Sequence, residues 1–134
     1  MELLFFNAYI NIRLHRGAHN TLEIQWLDFV PSADFRASMR EMLHLAQQHQ
    51  VKTWVVDNRL IRAMRPTDLA WSGQEIIVPM SELGARRFAG VESQDGMNRM
   101  GVTALLADVI PGTHMTSRFF ATIEEARAWA LAPL

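Results

Sequence analysis

A short β-branched run in the middle of the chain constrains the fold more than any other feature. Residues 51–58 read Val-Lys-Thr-Trp-Val-Val-Asp-Asn, and segments with helical periodicity flank them on both sides. Such a run is typical of a strand that is buried on both faces of a parallel sheet. Asp57, Asn58 and Arg59 then fall at its carboxyl end, where open α/β sheets place their ligand crevices. The run therefore predicts an architecture and the edge of the sheet that carries a site.

The composition limits the classes of protein to which the chain can belong. Its 134 residues suffice for one core, and we predict a single domain over residues 1–134. The formal net charge of −1 lacks the basic excess of a general nucleic-acid binder, so we expect no nucleic-acid partner. The absence of cysteine excludes disulfides, thiolate zinc sites and cysteine catalysis. Neither a signal peptide nor a window of the ~18–20 apolar residues that cross a bilayer is present, so we predict a cytoplasmic protein without a membrane span.

The first part of the chain predicts antiparallel strands. Leu3–Phe6 forms a first short strand, and apolar residues alternate with polar ones over Ile10–Leu14 and again over Leu22–Trp26. The turn residues 17–20, Gly-Ala-His-Asn, join the last two of these strands into a hairpin.

One helix is predicted before the central strand in the sequence, and another after it. The first begins at Pro31-Ser32 with Ser32 as its N-cap, and its core stripe consists of Phe35, Met39, Met42, Leu43 and Ala46. The second begins at Pro66 with Thr67 as its cap and ends at Gly84. Pro79 lacks the N–H that would bond to the carbonyl of Glu75, so we expect a kink or two segments that meet at Val78.

The remainder of the chain continues the alternation of strands and helices. Arg87–Val91 is a strand, and Asp95 caps a third helix whose inward residues are Met97, Met100, Gly101, Ala104 and Leu105. Met115–Ala121 is the last strand, and the capping box that starts at Thr122 begins a terminal helix over Ile123–Leu131. A β-hairpin followed by alternating α and β predicts a layered α/β fold with a mixed sheet and about four helices.

Four segments carry a resemblance to a known family: residues 26–35, 52–59, 66–71 and 119–129. With the element order, they resemble the SpoIIAA-like (STAS-like) small proteins, whose fold is shared with the CRAL-TRIO lipid-carrying domains. The resemblance implies a non-enzymatic module that is regulatory or of unassigned function. In the anti-sigma-factor antagonists of this family, a phosphorylated serine follows the buried strand. This chain has no serine there before Ser72 and only Thr67 as a hydroxyl, so the sequence does not predict a phosphorylation switch.

The polar end of the central strand offers two candidate sites. Asp57 and Arg59 can orient a ligand or a partner group; alternatively, Asp57 accepts N–H bonds in its own loop and pairs with an arginine. Arg59, Arg62 and Arg65 recur at three-residue intervals before a helix N-terminus, a pattern that favours an anion site. The alternative is a solvated charged loop, pinned down by its own apolar residues.

Trp71 is the candidate for a partner contact. On the second helix it lies about 200° from the inward stripe and forms a second stripe with Gln74 and Val78. An outward indole beside Val78 is a natural anchor for a second copy or for another protein. The alternative is that a neighbouring loop, residues 60–64, covers the indole.

Other chemistry finds little support in the sequence. The five histidines form no metal-ligand spacing, no nucleophile elbow is present, and the scattered glycines form no nucleotide-binding loop. We therefore expect no metal and no cofactor. An enzyme would need Asp57 to meet a histidine such as His114, yet the two lie at opposite edges of a parallel sheet.

The sequence thus predicts a non-catalytic, cytoplasmic binding or regulatory module that forms a homodimer. Its interaction surface would be residues 57–67 with the second helix, and its partner a regulatory protein. The alternative is a carrier or sensor of a small apolar or lipid-like ligand. The inward methionines would line its pocket: Met39, Met42, Met80, Met97 and Met100.

Overall fold

A six-stranded mixed sheet forms the centre of the molecule, in a computed structural model that describes residues 1–134. The strands lie side by side in the order in which they occur in the sequence. The first three are antiparallel and the last four are parallel, with the third strand shared between the two parts. The strands are β1 (Glu2–Phe6), β2 (Ile10–His15), β3 (Thr21–Trp26), β4 (Thr53–Asp57), β5 (Arg87–Val91) and β6 (Thr116–Phe120). The predicted hairpin, the mixed sheet and the parallel surroundings of the central strand are confirmed.

Strand β4 is buried over its whole length because it has parallel neighbours on both sides and helices over both faces. Its side chains alternate between the two faces of the sheet. Trp54 lies between Leu22 and Phe88 on one face, and Val55 lies between Glu23 and Ala89 on the other.

Four helices cover the sheet if a composite second helix is counted once. They are α1 (Ser32–Gln48); the composite helix of α2 (Pro66–Ser72), a π-helical turn (Gly73–Ile77) and α3 (Val78–Glu82); α4 (Gly96–Val109), extended by a 3₁₀ turn (Ile110–Gly112); and α5 (Ile123–Leu131). Right-handed crossovers between sequentially ordered parallel strands place all connecting helices on one face. Helices α1 to α4 pack there, whereas α5 packs on the opposite face over β4 and β5. No helix is both long and apolar enough to cross a membrane.

Aromatic side chains organise the main core under α1 to α4. The rings of Trp26 and Phe35 stack with centroids 5.3 Å apart, which joins β3 to α1. The rings of Trp54 and Phe88 meet edge to face at 5.0 Å, which joins β4 to β5. Such pairs add stabilisation of about 0.5–1.5 kcal/mol beyond the burial of their area.

Three helix ends are stabilised as the sequence predicts. The Asp95 carboxylate accepts the N–H groups of Met97 and Asn98 at the start of α4, and the Thr122 hydroxyl accepts the N–H of Glu125 at the start of α5. Gly84, with φ of 103°, follows α3 in the left-handed region. The N–H of Ala85 bonds to the carbonyl of Met80 and that of Gly84 to the carbonyl of Ser81. These two bonds form a Schellman motif, for which glycine carries no steric penalty.

Two other predicted caps are wrong, because in both cases the hydroxyl residue already lies inside the helix. Pro31 is the N-cap of α1, and Ser32 already has helical geometry. Arg65 is the N-cap of α2, Pro66 takes the first helical position, and Thr67 lies one residue further in. A proline is pre-organised for the start of a helix by its fixed φ.

The composite helix accommodates Pro79 by changing its winding. The π-helical turn ends at Ile77 and regular α-helix resumes at Val78, so the prediction of two segments that meet at Val78 is confirmed. Gly73 opens the π-helical turn and allows α4 to approach closely. A Cβ atom at Gly73 would lie 2.9 Å from Leu105 Cδ1.

The predicted inward face of α4 is right for Gly101 and Leu105, which pack against Leu69 and the main core, and wrong for its other three residues. Met97 and Met100 are 70% and 71% exposed, and Ala104 is exposed as well. The residues that are buried instead are Asn98, Val102, Leu106 and Val109. Because α4 carries apolar residues on both sides, its periodicity does not fix which side faces the sheet.

Candidate functional site

A cleft of about 480 Å³ opens at the carboxyl edge of the sheet, beside the ends of β3 and β4. We call it the edge cleft; its walls are Leu27, Asp28, Arg59, Leu60, Ile61, Arg62, Gln94 and Asp95. It lies at the carboxyl ends of parallel strands, which is the edge where open α/β sheets bind their ligands.

A buried carboxylate holds the central arginine of the edge cleft. Asp57 is 3% exposed, and its Oδ1 accepts the backbone N–H of Arg59 at 3.1 Å and Arg59 Nε at 2.9 Å. Its Oδ2 accepts Arg59 Nη2 at 2.7 Å. The side-chain hydrogen bonds to Asp57 raise the pKa of Arg59 above its ordinary value. The pairing fixes the orientation of the guanidinium, whose remaining N–H groups are free of Asp57.

Asn58 and the loop after it are tied to the rest of the carboxyl edge. The backbone N–H of Asn58 bonds to the carbonyl of Val91 at 3.0 Å, and the carbonyl of Ile61 accepts the Ser93 hydroxyl at 2.6 Å. The carbonyl of Arg62 accepts Asn98 Nδ2 at 3.0 Å. Since Ile61 is also buried, the loop is anchored by packing and by hydrogen bonds.

The remaining charges of the edge cleft balance one another. Arg62 Nε lies 4.0 Å from Asp28 Oδ1, and both side chains are about 70% exposed. The Asp95 carboxylate accepts the N–H groups at the start of α4. With acids and bases paired in this way, the edge cleft presents a mixed polar surface to a ligand.

An apolar cavity of about 50 Å³, the inner cavity, lies between the sheet, α1, α2 and α4. Twelve of the 14 residues around it are hydrophobic, and they include Met39 and Met64. Trp54 lines it as well, and the Nε1 of this buried indole has no hydrogen-bond partner. A cavity of this volume holds a few water molecules at most. The residues around it must therefore move apart before a larger apolar molecule can enter.

Comparison with solved structures finds the same architecture in another protein. An uncharacterized protein of the DUF3478 family with a SpoIIAA-like fold, from Shewanella loihica PV-4, matches with a TM-score of 0.62 and 15% identity. The match covers 95% of this chain and 98% of that chain. The chain has a SpoIIAA-like fold. No protein-family profile and no curated protein matches the sequence.

The match confirms the predicted SpoIIAA-like fold and its layered arrangement. At 15% identity the likeness concerns the fold alone. The roles of individual side chains in this SpoIIAA-like chain therefore depend on the contacts that those side chains make.

The SpoIIAA-like fold separates the predicted site residues into different places. Asp57, Arg59 and Arg62 lie at the edge cleft, and Asn58 faces the inner cavity. Arg65 and Thr67 are exposed at the start of α2 and do not line the edge cleft. The three arginines of the loop therefore do not converge on one anion.

Trp71 is half-buried, and the predicted outward indole is wrong in its geometry. Its ring meets the ring of Phe35 edge to face at 6.2 Å, and the guanidinium carbons of Arg36 and Arg40 each lie 5.1 Å from its centroid. Helix α1, rather than the loop at residues 60–64, covers it. Val78 is also only half-exposed and packs against the main core.

Asp68 is a buried residue that sequence reasoning missed. It is 4% exposed, and it accepts the Ser32 hydroxyl at 2.6 Å and Arg36 Nε at 3.0 Å. The contact joins α1 to α2 beside Trp71. The signal in the sequence was an acid in the first turn of a helix, which is also the pattern of a simple dipole contact.

A second missed cluster lies on the opposite face of the sheet, under α5. Glu23 is 2% exposed; its two oxygens accept Arg127 Nε and Nη2 at 2.7 and 2.8 Å, and His15 Nε2 lies 3.0 Å from Oε1. Burial opposes ionisation of Glu23, but the hydrogen bonds from Arg127 and His15 outweigh it and lower its pKa from 4.5 to about 2. Spacing cannot pair residues more than a hundred positions apart, so the contact of Arg127 with Glu23 was not predictable from the sequence.

No group of three or more histidine and acidic side chains in residues 1–134 is arranged to hold a metal ion. The polar residues that the fold assembles thus form three ion-paired clusters, at Asp57, at Asp68 and at Glu23.

Proposed function

We propose that this chain is a non-catalytic binding or regulatory module that acts in the cytoplasm as a homodimer and binds a regulatory protein at the edge cleft. The observation that carries the proposal is the pairing of Arg59 with the buried Asp57, which presents an oriented guanidinium in an open cleft. Oriented arginines at a half-exposed position are frequent anchors of protein contacts.

The contacts of the acids in the edge cleft favour binding over catalysis. Asp57 is bonded to Arg59, Asp95 to the N–H groups of α4, and Asp28 to the N–H of Phe29 at 2.7 Å. A general base has to be free to accept a proton from its substrate. Asp57 and Asp95, which each accept two or more N–H bonds, are therefore poor candidates for that role.

Capture of the partner from a cell extract tests the proposal. Immobilised wild-type chain is compared with Arg59→Glu and with the matched control Arg86→Glu, which changes an exposed arginine at the opposite edge of the sheet. We expect mass spectrometry to identify a protein that wild type and Arg86→Glu retain and Arg59→Glu loses. Equal retention by all three chains would contradict binding at the edge cleft.

The inner cavity supports a second candidate function, a carrier or sensor of a small apolar ligand. Its walls are almost entirely hydrophobic, and the unpartnered indole N–H of Trp54 offers one polar contact. Apolar pockets with a few polar groups are the usual sites for such ligands. Native mass spectrometry of the purified chain tests this function. A bound mass that organic solvent removes is the expected result, and a chain of purely polypeptide mass would count against it.

A further inference from the structure

The outer face of α4 is an uncovered apolar surface. Met97 and Met100 are among the most exposed large apolar side chains of the molecule, and Ala104 and Ala107 are exposed beside them. At about 100° per residue, the four positions fall within an arc of about 80° on one side of the helix. We call them the outer stripe. Methionine-rich surfaces without charge at their centre are typical of the core of a protein interface.

We propose that the outer stripe is the contact through which two copies of this chain associate, with the two α4 helices antiparallel about a two-fold axis. The inference rests on the self-association given above as part of the proposed function, and it names the surface. The outer stripe replaces the second helix as the proposed contact between the two copies, because α1 covers Trp71.

The distribution of large and small side chains along α4 matches this arrangement. Both methionines lie in the first half of the outer stripe and both alanines in the second half. A two-fold axis near Ala104 places Met100 of each copy against Ala107 of the other, and Met97 against the 3₁₀ turn that follows α4. The surface is therefore complementary to itself, as an interface between identical subunits must be.

The charges beside the outer stripe fit the same arrangement. Arg99 flanks one side of the stripe near its start, and Asp108 flanks the other side near its end. In an antiparallel pair related by a two-fold axis, Arg99 of one copy and Asp108 of the other lie at the same end but on opposite sides of the contact, so no like charges are opposed. Arg99 donates to the carbonyls of Ser93 and Gln94, which holds its side chain away from the centre of the stripe.

The size of the surface predicts the strength of the dimer. A helix of 14 residues is about 21 Å long. One helix face buries less than the ~800 Å² per partner of a typical stable complex. We therefore expect a reversible dimer that dissociates in the micromolar range.

Disulfide trapping tests the geometry, because the chain has no cysteine of its own. In Ala104→Cys the two thiols would lie close to the two-fold axis, within reach of one another. We expect this variant to form a covalent dimer under mild oxidation at least tenfold faster than Ala37→Cys, a control on the exposed face of α1. Equal rates for both variants would overturn the proposed geometry.

Sedimentation velocity over a range of concentrations tests the energetics. Met100→Glu is expected to weaken the dimer at least about a hundredfold, since it would bury two carboxylates. Leu3→Glu makes the same kind of change at an exposed position on β1 and is expected to leave the dimer intact. A dimer that Met100→Glu leaves unchanged overturns the outer stripe but not self-association, whereas a wild type that is monomeric at every concentration overturns both. A monomeric wild type that binds lipid vesicles through Met100 would also overturn the proposal and assign the outer stripe to a membrane surface.

Discussion

Glu23 shows how a single residue can tie together distant parts of the chain. It lies on a strand in the first quarter of the sequence, and its partner Arg127 lies on the last helix. Both oxygens of the carboxylate are hydrogen-bonded, so its burial leaves no unsatisfied charge. Removal of one partner from a buried ion pair is costly, because the other charge stays behind in a poor solvent.

We expect Glu23→Gln to lower the free energy of unfolding by about 2–3 kcal/mol at neutral pH, near the lower end of the range for buried pairs because Arg127 is partly hydrated. Urea denaturation measures the change. The control is Glu82→Gln, an exposed acid outside any ion pair, which should stay within about 0.5 kcal/mol of wild type. A similar loss in both variants would contradict a special role for Glu23.

The same pair makes stability depend on pH in acid. The folded-state pKa of Glu23 is about 2, against 4.5 for an unperturbed glutamate, so the folded state binds this proton less readily than the unfolded state. The stabilisation is therefore complete above about pH 4.5 and is lost as the pH falls toward 2. We expect the difference in stability between wild type and Glu23→Gln to narrow over this window. A difference that stays constant down to pH 2.5, within that window, would contradict the low pKa.

At the scale of elements, the ends of the helices decide how the layers meet. Gly84 turns the chain from α3 into β5, and Asp68 fastens α2 to α1. Each feature depends on a single residue at a helix end and on the tertiary contact that this residue allows. They can therefore be tested by substitutions at single positions.

Gly84→Ala should destabilise the fold by about 1–2 kcal/mol, because a side chain at positive φ is strained. Gly112→Ala is the matched control, since a Cβ atom there would meet nothing within 4 Å and its φ is not positive. We expect the control to be neutral or slightly stabilising. Thermal unfolding of both variants checks the prediction, and a neutral Gly84→Ala would contradict the Schellman geometry.

Asp68→Asn should cost about 1–3 kcal/mol, because it removes the charge that pairs with Arg36 at a buried position. Glu75→Gln in the same composite helix is exposed and should change stability little. Denaturant unfolding followed by tryptophan fluorescence is a suitable measurement. If the two variants were equally stable, the contact between α1 and α2 would not depend on this carboxylate.

The elements that could be predicted are those whose signals are local. The β-branched residues of β4, the Asp95 and Thr122 caps and the glycine after α3 each depend on a few neighbouring residues. The phase of α4 was not predictable, since the buried Asn98 donates from its Nδ2 to the carbonyl of Arg62, which is far away in sequence. The covering of Trp71 by α1 likewise depends on how two helices pack. The carboxyl edge was predictable as the place of a cleft from the buried β4 and the polar residues that follow it, but the identity of the lining residues required the loop structure.

At the scale of the whole molecule, the two faces of the sheet are stabilised in different ways. The face under α1 to α4 carries the large apolar core, whereas α5 rests on a small one. Polar contacts add to its attachment: Arg87 Nη1 donates to the carbonyls of Trp129 and Ala132, and His19 Nε2 donates to that of Ala130. Because α5 rests on this small apolar core, we expect it to open before the sheet does.

Hydrogen exchange should show this order. In Arg87→Ala we expect the amides of α5 to exchange about tenfold faster than in wild type, while those of β4 keep their protection. Arg86→Ala, its exposed neighbour outside any ion pair, should exchange like wild type. Equal acceleration in α5 and β4 would mean that the molecule opens only as one unit.

The sequential order of the strands also bears on how the chain is made. Each strand pairs with the one synthesised just before it, from β1 to β6. A nascent chain can therefore extend its sheet at the growing edge while the ribosome is still at work, and each newly exposed edge is the one that its next strand will occupy. In such a fold, no strand has to wait for a distant segment before it can pair with its neighbour. The unpaired edge of a strand is therefore accessible to another molecule for a shorter time.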